Sequence, residues 1–377
     1  MATSVLGPAR GGAADLRLGR LLLLAAVISL VEPAASGRAT LVLIQHKQTP
    51  AATVEELVGS RLVVGVEGTS PTPALLGRIR SGRVGGVILM GHNVRSAPQV
   101  RELTAALRAA ARFAGRRILI VTDQEGGRVR RFRWAPPAAS AVELGRLGDA
   151  AVRRRGHDTG TALDCLGIDV DLAPVADVPR DGRSFIAMQN RGFSTNPTRV
   201  AKRVTAFAAG LLDAGIAPTL KHFPGLGLAQ RTTDRVAVTL TATREALAPD
   251  LIPYRRALAA GVVPLVMLSN ASYTAYGGTP APWSPSVLAA LRALGFRGVT
   301  ITDALEPLAT TRGMSVDEAA IRAAETGVDL LLFVGSERST ARVYDALLAA
   351  AREGRLPRRG LERSTARIDE LVATYSG

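Results

Sequence analysis

Cysteine, lysine, histidine and aromatic residues are all scarce in this 377-residue chain, and each shortage removes a class of reading. The single cysteine, Cys165, cannot close an internal disulfide, so the fold rests on an apolar core and not on covalent staples. Aromatics make up 4% of the residues, which leaves Ala, Val, Leu and Ile to fill the interior. The formal charge of +15 suggests nucleic acid, but Lys47, Lys202 and Lys221 are its only lysines and the excess is arginine. Those arginines scatter, and the densest runs, Arg153-Arg154-Arg155 and Arg128 to Arg133, lack the interleaved aromatics of a single-strand groove. Scattered basic residues give non-specific attraction alone, so no nucleic-acid partner is expected. No cluster of His, Cys and carboxylate has ligand spacing, and neither a metal nor an organic cofactor is implied.

Residues 1–36 are set apart by composition. Arg10, Arg17 and Arg20 precede the apolar run Leu21 to Val31, and Ala34-Ala35-Ser36 supplies small residues for cleavage. That order is the order of a secretory signal, so the protein is expected to be secreted or extracytoplasmic. The apolar run is short for a membrane span of about 20 residues, although a retained anchor is the alternative. The remaining roughly 340 residues, taken as one domain over residues 41–377, are ordinary for a barrel of about 200 to more than 400.

Short runs rich in Val, Ile and Leu recur from there on. Eight stand out: Leu62–Val66, Val87–Met90, Ile118–Thr122, Ile168–Leu172, Ala217–Lys221, Pro264–Leu268, Gly298–Thr302 and Val328–Val334. Continuous apolar runs mark strands buried on both faces, as in parallel sheets. Helical segments alternate with them, among them Ala97–Phe113, Thr198–Ala214, Arg244–Ala260, Ser284–Leu294 and Asp317–Glu325. Repeating βα units leave an open doubly wound sheet or a closed barrel. Eight units without a second domain's worth of sequence predict closure into a (β/α)8 TIM barrel, an α/β fold.

Polar residues then fall where such a barrel collects its chemistry, at the C-terminal strand ends. Strand 3 ends in Asp123-Gln124-Glu125-Gly126-Gly127, and strand 4 runs into Asp169, Asp171 and Asp177. Strand 5 ends in Lys221-His222-Phe223-Pro224-Gly225, strand 6 in Ser269-Asn270 and strand 7 in Thr302-Asp303. A lysine beside an imidazole offers donors and an acceptor for sugar hydroxyls; the plain alternative is a buried Lys–carboxylate pair with a core histidine. Asp123 and Arg131 are candidate ligands of a sugar ring, whereas Glu125 reads as structural. Asp303 is the candidate nucleophile, since a sugar nucleophile is an ionised carboxylate beside the anomeric carbon. Lys221 and nearby arginines are expected to keep it charged, and the competing role for Asp303 is a helix N-cap.

The stretches DQEGGRVRR (Asp123 to Arg131), Asp-x-Asp-x-Ala-Pro-Val (Asp169 to Val175), Asn190-Arg191-Gly192-Phe193-Ser194, KHFPG (Lys221 to Gly225) and ITDAL (Ile301 to Leu305) follow one another in order along the chain. Together they resemble glycoside hydrolase family 3, most closely its single-domain bacterial β-N-acetylhexosaminidase branch. The resemblance implies a retaining exo-glycosidase acting on terminal β-linked sugars, such as cell-wall or chitin-type fragments, with Asp303 as nucleophile. It implies that Asp123, Arg131, Arg191, Lys221 and His222 bind the ring before the scissile bond. The sequence departs from that pattern at one step of the chemistry. The branch follows KHFPGHG, after four residues, with Asp-Ser-His, whose Asp–His pair on a loop serves as acid and base. Here Leu226 replaces the first loop histidine, Thr232-Thr233-Asp234 replaces the triplet, and no histidine follows His222. Asp234 is the nearest loop carboxylate and becomes the candidate acid/base. Asn270 and Ala304 likewise stand where the branch carries His and an acidic residue. Two other readings follow: a weakened hydrolase that now only binds carbohydrate, and an unrelated aldolase-type barrel using Lys221 as a Schiff base.

Overall fold

The computed structural model describes residues 52–377; the signal segment read at residues 1–36, and residues 41–51 of the expected domain, lie outside the described residues. Eight parallel strands form the centre: β1 (Leu62–Gly65), β2 (Gly86–Leu89), β3 (Leu119–Thr122), β4 (Val170–Asp171), β5 (Ala217–Phe223), β6 (Leu265–Leu268), β7 (Val299–Thr302) and β8 (Leu331–Leu332). They pair in the order β7-β6-β5-β4-β3-β2-β1-β8. A parallel bridge between Ile301 and Leu330 joins the two ends and closes the ring. The expected barrel is therefore what forms. Most strands are shorter than the apolar runs that announce them, but β5 extends past Lys221 to Phe223.

Each strand is followed by a covering helix: α1 (Pro73–Arg80), α2 (Ala97–Phe113), α3 (Asp149–Asp164), α4 (Pro197–Asp213), α5 (Arg244–Ala259), α6 (Pro285–Ala293), α7 (Val316–Thr326) and α8 (Glu337–Arg352). Some of their starts are written in the sequence. Ser96 and Asn196 accept from the N–H groups of Gln99 and Arg199, and Pro98 and Pro197 pre-set the first turns of α2 and α4. A last helix, α9 (Arg358–Tyr375), runs beneath the N-terminal strand ends, where Ser376 Oγ donates to the Ile118 carbonyl at 3.0 Å.

The apolar side chains divide into two bodies. One lies between strands and helices; the other fills the barrel itself with Val63, Ile88, Val121, Val170, Leu172, Ala217, Met267 and Ile301, and includes Ile368 and Leu371 of α9. Because side chains alternate along a strand, this second body fixes which residues point inward. Leu119 and Val121 put Asp123 in the inward phase at the mouth, and Val299 and Ile301 do the same for Asp303. Val170 and Leu172 take the inward positions of β4, so Asp169 and Asp171 face outward. The three strand-4 carboxylates thus do not act together: Asp169 pairs with Arg108 at 2.6 Å, and Asp171 Oδ1 accepts from the Gln124 N–H at 2.8 Å.

Candidate active site

Asp123 leaves β3 in the inward phase, and a short hairpin, Gln124–Gly126 with Val129–Arg130, brings Arg131 back over it. Gly126 sits at φ +97°, and a Cβ there would come within 2.3 Å of the Ala139 carbonyl, so the tight return requires glycine. Buried Gln124 holds the base of the loop: its Nε2 donates to the Phe132, Ala135 and Pro136 carbonyls, and its Oε1 accepts from the Phe132 N–H. Arg131 Nη2 then donates to Asp123 Oδ2 at 2.8 Å.

From β5, Lys221 Nζ donates to Asp123 Oδ1 at 2.8 Å and lies 2.7 Å from Glu125 Oε1. Arg191, on the loop after β4, grips Glu125 with two parallel bonds of 2.8 Å, and its Nη2 lies 3.5 Å from His222 Nε2. Adjacent residues on a strand ordinarily face opposite ways, yet Lys221 and His222 both reach the pocket. The pairing of β5 with β6 shifts register between Leu220 and Phe223, and that irregularity re-aims the histidine. Asp177 fixes its ring: Nδ1 donates to Asp177 Oδ2 at 2.7 Å, and Asp177 Oδ1 accepts from the Leu226 N–H at 2.7 Å. Gly227 lets the loop pass under Val178, whose carbonyl would lie 1.8 Å from any Cβ placed there.

Charge follows from this packing. Burial alone would raise Asp123, but Lys221 and Arg131 hold it well below the usual carboxylate range. Burial is likewise overcome at Glu125, which Arg191 and Lys221 bring down to about 2. Lys221 is raised, because Asp123 and Glu125 outweigh its own desolvation. An amine nucleophile needs a depressed pKa, so the Schiff-base reading of Lys221 fails here.

Asp303, at the tip of β7, lines the same pocket of about 310 Å³ as Asp123, Glu125, Arg131, Arg191, Lys221, His222 and Asp234. It caps no helix: the short helix that follows, Leu305–Thr311, begins after Ala304 with no side-chain cap, and Asp303 Oδ1 accepts from the Ala304 N–H at 2.8 Å. The cations expected to keep it charged do not outweigh its burial. Burial raises the Asp303 carboxyl, and the nearby Asp234 carboxylate adds to that, while His222 and Lys221 pull the other way without prevailing. Lys221 is committed to Asp123 and Glu125, which explains its weak hold. Asn270, whose Nδ2 donates to the Ala304 carbonyl at 2.7 Å, anchors the backbone behind Asp303.

The opposite wall is made differently. Asp234 is exposed, and its Oδ2 accepts from Thr232 Oγ1 at 3.0 Å, its own neighbour two residues back. Leu226, Thr232 and Thr233 line the pocket beside it. An apolar floor completes the cavity with Ile88, Met90, Leu172, Met267, Leu332 and Val334. Among the described residues, no group of three or more His, Cys, Asp or Glu side chains is arranged to hold a metal ion.

All seven residues singled out from the sequence therefore meet in one pocket. Two contributors escape a reading of the sequence. Glu125, read as structural, bridges Lys221 and Arg191 in the pocket wall; its place two residues from Asp123 in the hairpin is the available signal. Asp177 orients His222, and nothing in its local sequence distinguishes it from Asp169 and Asp171.

A closed eight-stranded barrel with interlocked ionic groups and two further carboxylates at its C-terminal mouth is an architecture that glycoside hydrolases use. The sequence profile of the glycosyl hydrolase family 3 N-terminal domain matches residues 53–371. The chain belongs to that family. It is 33% identical over 335 residues to the β-hexosaminidase of Stenotrophomonas maltophilia strain K279a, covering 80% of this chain and 98% of that one. It is 32% identical over 331 residues to an uncharacterized secreted glycosyl hydrolase of Arthroderma benhamiae, covering 84% of this chain and 93% of the other. Among solved structures, the family 3 β-N-acetylglucosaminidase from Paenibacillus sp. str. FPU-7 superposes with a TM-score of 0.82 at 32% identity, over 86% of this chain. The chain spans 63% of the length of that enzyme.

Proposed function

We propose that the protein is a secreted, retaining exo-glycosidase that removes terminal β-linked N-acetylhexosamine residues from cell-wall or chitin-type fragments. The observation that carries this reading is the meeting of Asp303 and Asp234 in one pocket with the six side chains Asp123, Glu125, Arg131, Arg191, Lys221 and His222. Those six groups present a fixed array of donors and acceptors to a pyranose, and the cavity is of a size that admits little more than one ring. Ionised Asp303 attacks the anomeric carbon and forms an ester with the sugar as the glycosidic bond breaks. Asp234, in its protonated form, gives its proton to the departing oxygen. The resulting Asp234 carboxylate then takes a proton from water, which attacks the anomeric carbon and releases Asp303.

Treatment with a 5-fluoro glycosyl fluoride of N-acetylglucosamine, followed by peptide mass analysis, tests the scheme. The expected result is a single glycosyl adduct on the peptide carrying Asp303. Steady turnover of an aryl N-acetylglucosaminide with no adduct, or with an adduct elsewhere, overturns it. One observation favours a second reading, a carbohydrate-binding protein with little turnover: among the described residues, Asp234 has its neighbour Thr232 to position it and no partner from across the pocket. Tight binding of N-acetylglucosamine without turnover of any aryl glycoside would select that reading.

A further inference from the structure

At the end of the barrel remote from the mouth, a second cavity of about 350 Å³ lies between α6, α7 and α9, beside the starts of β1 and β8. Four arginines line it: Arg61, Arg292, Arg363 and Arg367. The carboxylate among them is fully buried Asp329, already taken by Arg292 Nη2 at 3.2 Å, Arg367 Nη2 at 2.6 Å, and the Thr300 N–H and hydroxyl at 2.9 and 2.8 Å. Glu325, at the cavity wall, is paired with Arg355 at 2.8 Å. Arg61 is 3% exposed, yet its bonds run to the uncharged backbone carbonyls of Asp329, at 3.2 Å, and Val328, at 2.5 Å. Among the described residues, neither Arg61 nor Arg363 has a carboxylate in ion-pair contact.

A buried guanidinium without its own counter-charge is costly. The cost is visible at Arg61, which burial and the neighbouring Arg367 lower to about 10 although Asp329 opposes them. The backbone carbonyls just after α7 solvate this arginine but bring no net charge, so the cavity stays positive. One further polar side chain lines the wall: Ser364 of α9, 2% exposed. Donors thus arrive from β1 on one side and from α9 on another. A planar carboxylate meets one fork, whereas a tetrahedral oxyanion accepts from several directions.

We propose that this cavity is a binding site for a tetrahedral oxyanion, free phosphate or a phosphomonoester, held by Arg61, Arg363 and Ser364. Arg61 lies at the seam of the barrel, where its backbone carbonyl accepts from the Leu331 N–H at 2.8 Å. An anion there neutralises the charge that opposes the docking of α9 against the N-terminal end of the barrel. The site is remote from the catalytic pocket, and its occupancy acts on stability, not on turnover.

Thermal unfolding of the full chain in phosphate, against chloride at matched ionic strength, tests this. A saturable rise in melting temperature on the order of 2 °C or more is expected with phosphate. Arg363→Ala, an exposed position that leaves the core intact, should lose most of that rise and keep wild-type activity on an aryl glycoside. Arg146→Ala, on the mouth side of the barrel, should keep it. Glycerol 3-phosphate in place of inorganic phosphate separates the two sources: half-saturation at lower concentration assigns a phosphomonoester, and no gain assigns the free ion. The absence of any rise beyond chloride, or an equal rise in Arg363→Ala, overturns the proposal.

Discussion

On one wall of the pocket six polar side chains drawn from three strand ends lock one another in place; on the other, Asp234 stands on an exposed loop with a threonine beside it. The first wall is over-determined. Asp123 and Glu125 share Lys221, Arg131 and Arg191 close the array, and Asp177 sets the histidine. Such a wall holds its shape before a sugar arrives, so little ordering cost is left for binding. Among the described residues the second wall has no comparable brace, which would suit the proposed proton exchange with leaving oxygen and water. The contrast teaches that one wall of this pocket is preorganised by mutual ion pairs while the other depends on a loop.

The largest effect is expected where the two walls meet. Asp303→Ala should reduce kcat by roughly 10⁴-fold or more, in line with losses on removing a nucleophile. Wild-type stability and retained binding of N-acetylglucosamine by calorimetry would show that the rigid wall survives. Turnover within about tenfold of wild type, under 1.4 kcal/mol of barrier, would break the assignment. The raised Asp303 carboxyl also places the acidic limb of kcat/KM above the pH of an ordinary carboxylate, with activity falling as the pH drops through it.

Asp234→Asn tests the loop wall. Loss of proton donation should lower kcat/KM by about 10²–10⁴-fold on alkyl glycosides. Activated aryl leaving groups, which need little protonation, should lose far less. Equal losses on both substrate types would assign the acid to another group.

Arg191→Ala tests the rigid wall by removing the bidentate partner of Glu125 and leaving it with Lys221, which Asp123 shares. Breaking a buried pair from one side costs about 3–5 kcal/mol, so a large drop in the urea midpoint should accompany weaker sugar binding. An unchanged midpoint would mean that the array is far looser than its distances imply.

The smallest effect on activity lies behind that wall. Burial raises Asp171 to about 8 despite the hydrogen bond from the Gln124 N–H, so the folded protein holds a proton that the unfolded chain releases from about pH 4 upward. The folded state binding more protons, stability falls as pH rises from there to about 8 and levels off above. Asp171→Asn keeps the acceptor for Gln124 and should flatten that slope in urea titrations spanning about pH 5 to 8, with activity near wild type. A slope identical to wild type would show Asp171 to be ionised in the fold.

Much of this was legible in the chain. Every barrel strand overlaps an apolar run, because a strand buried on both faces admits few polar residues. Lys221-His222 and Asp303 announced themselves as charged groups directly after such runs. What could not be read was phase. Asp169, Asp171 and Asp177 look alike in sequence, and only the inward positions of Val170 and Leu172 turn the first two away from the pocket. The register shift in β5 that lets Lys221 and His222 face the same cavity is equally silent locally.

The order of βα units, several helix starts and seven of the polar pocket-lining side chains belong to the sequence itself, since periodicity, caps and strand-end polarity are local properties. The tertiary structure decided which carboxylates face inward, which cation serves which anion, and why burial raises the Asp303 carboxyl. Those outcomes depend on desolvation and on distances between segments as far apart as Asp123 and Asp303, and such quantities exist only once the barrel has closed.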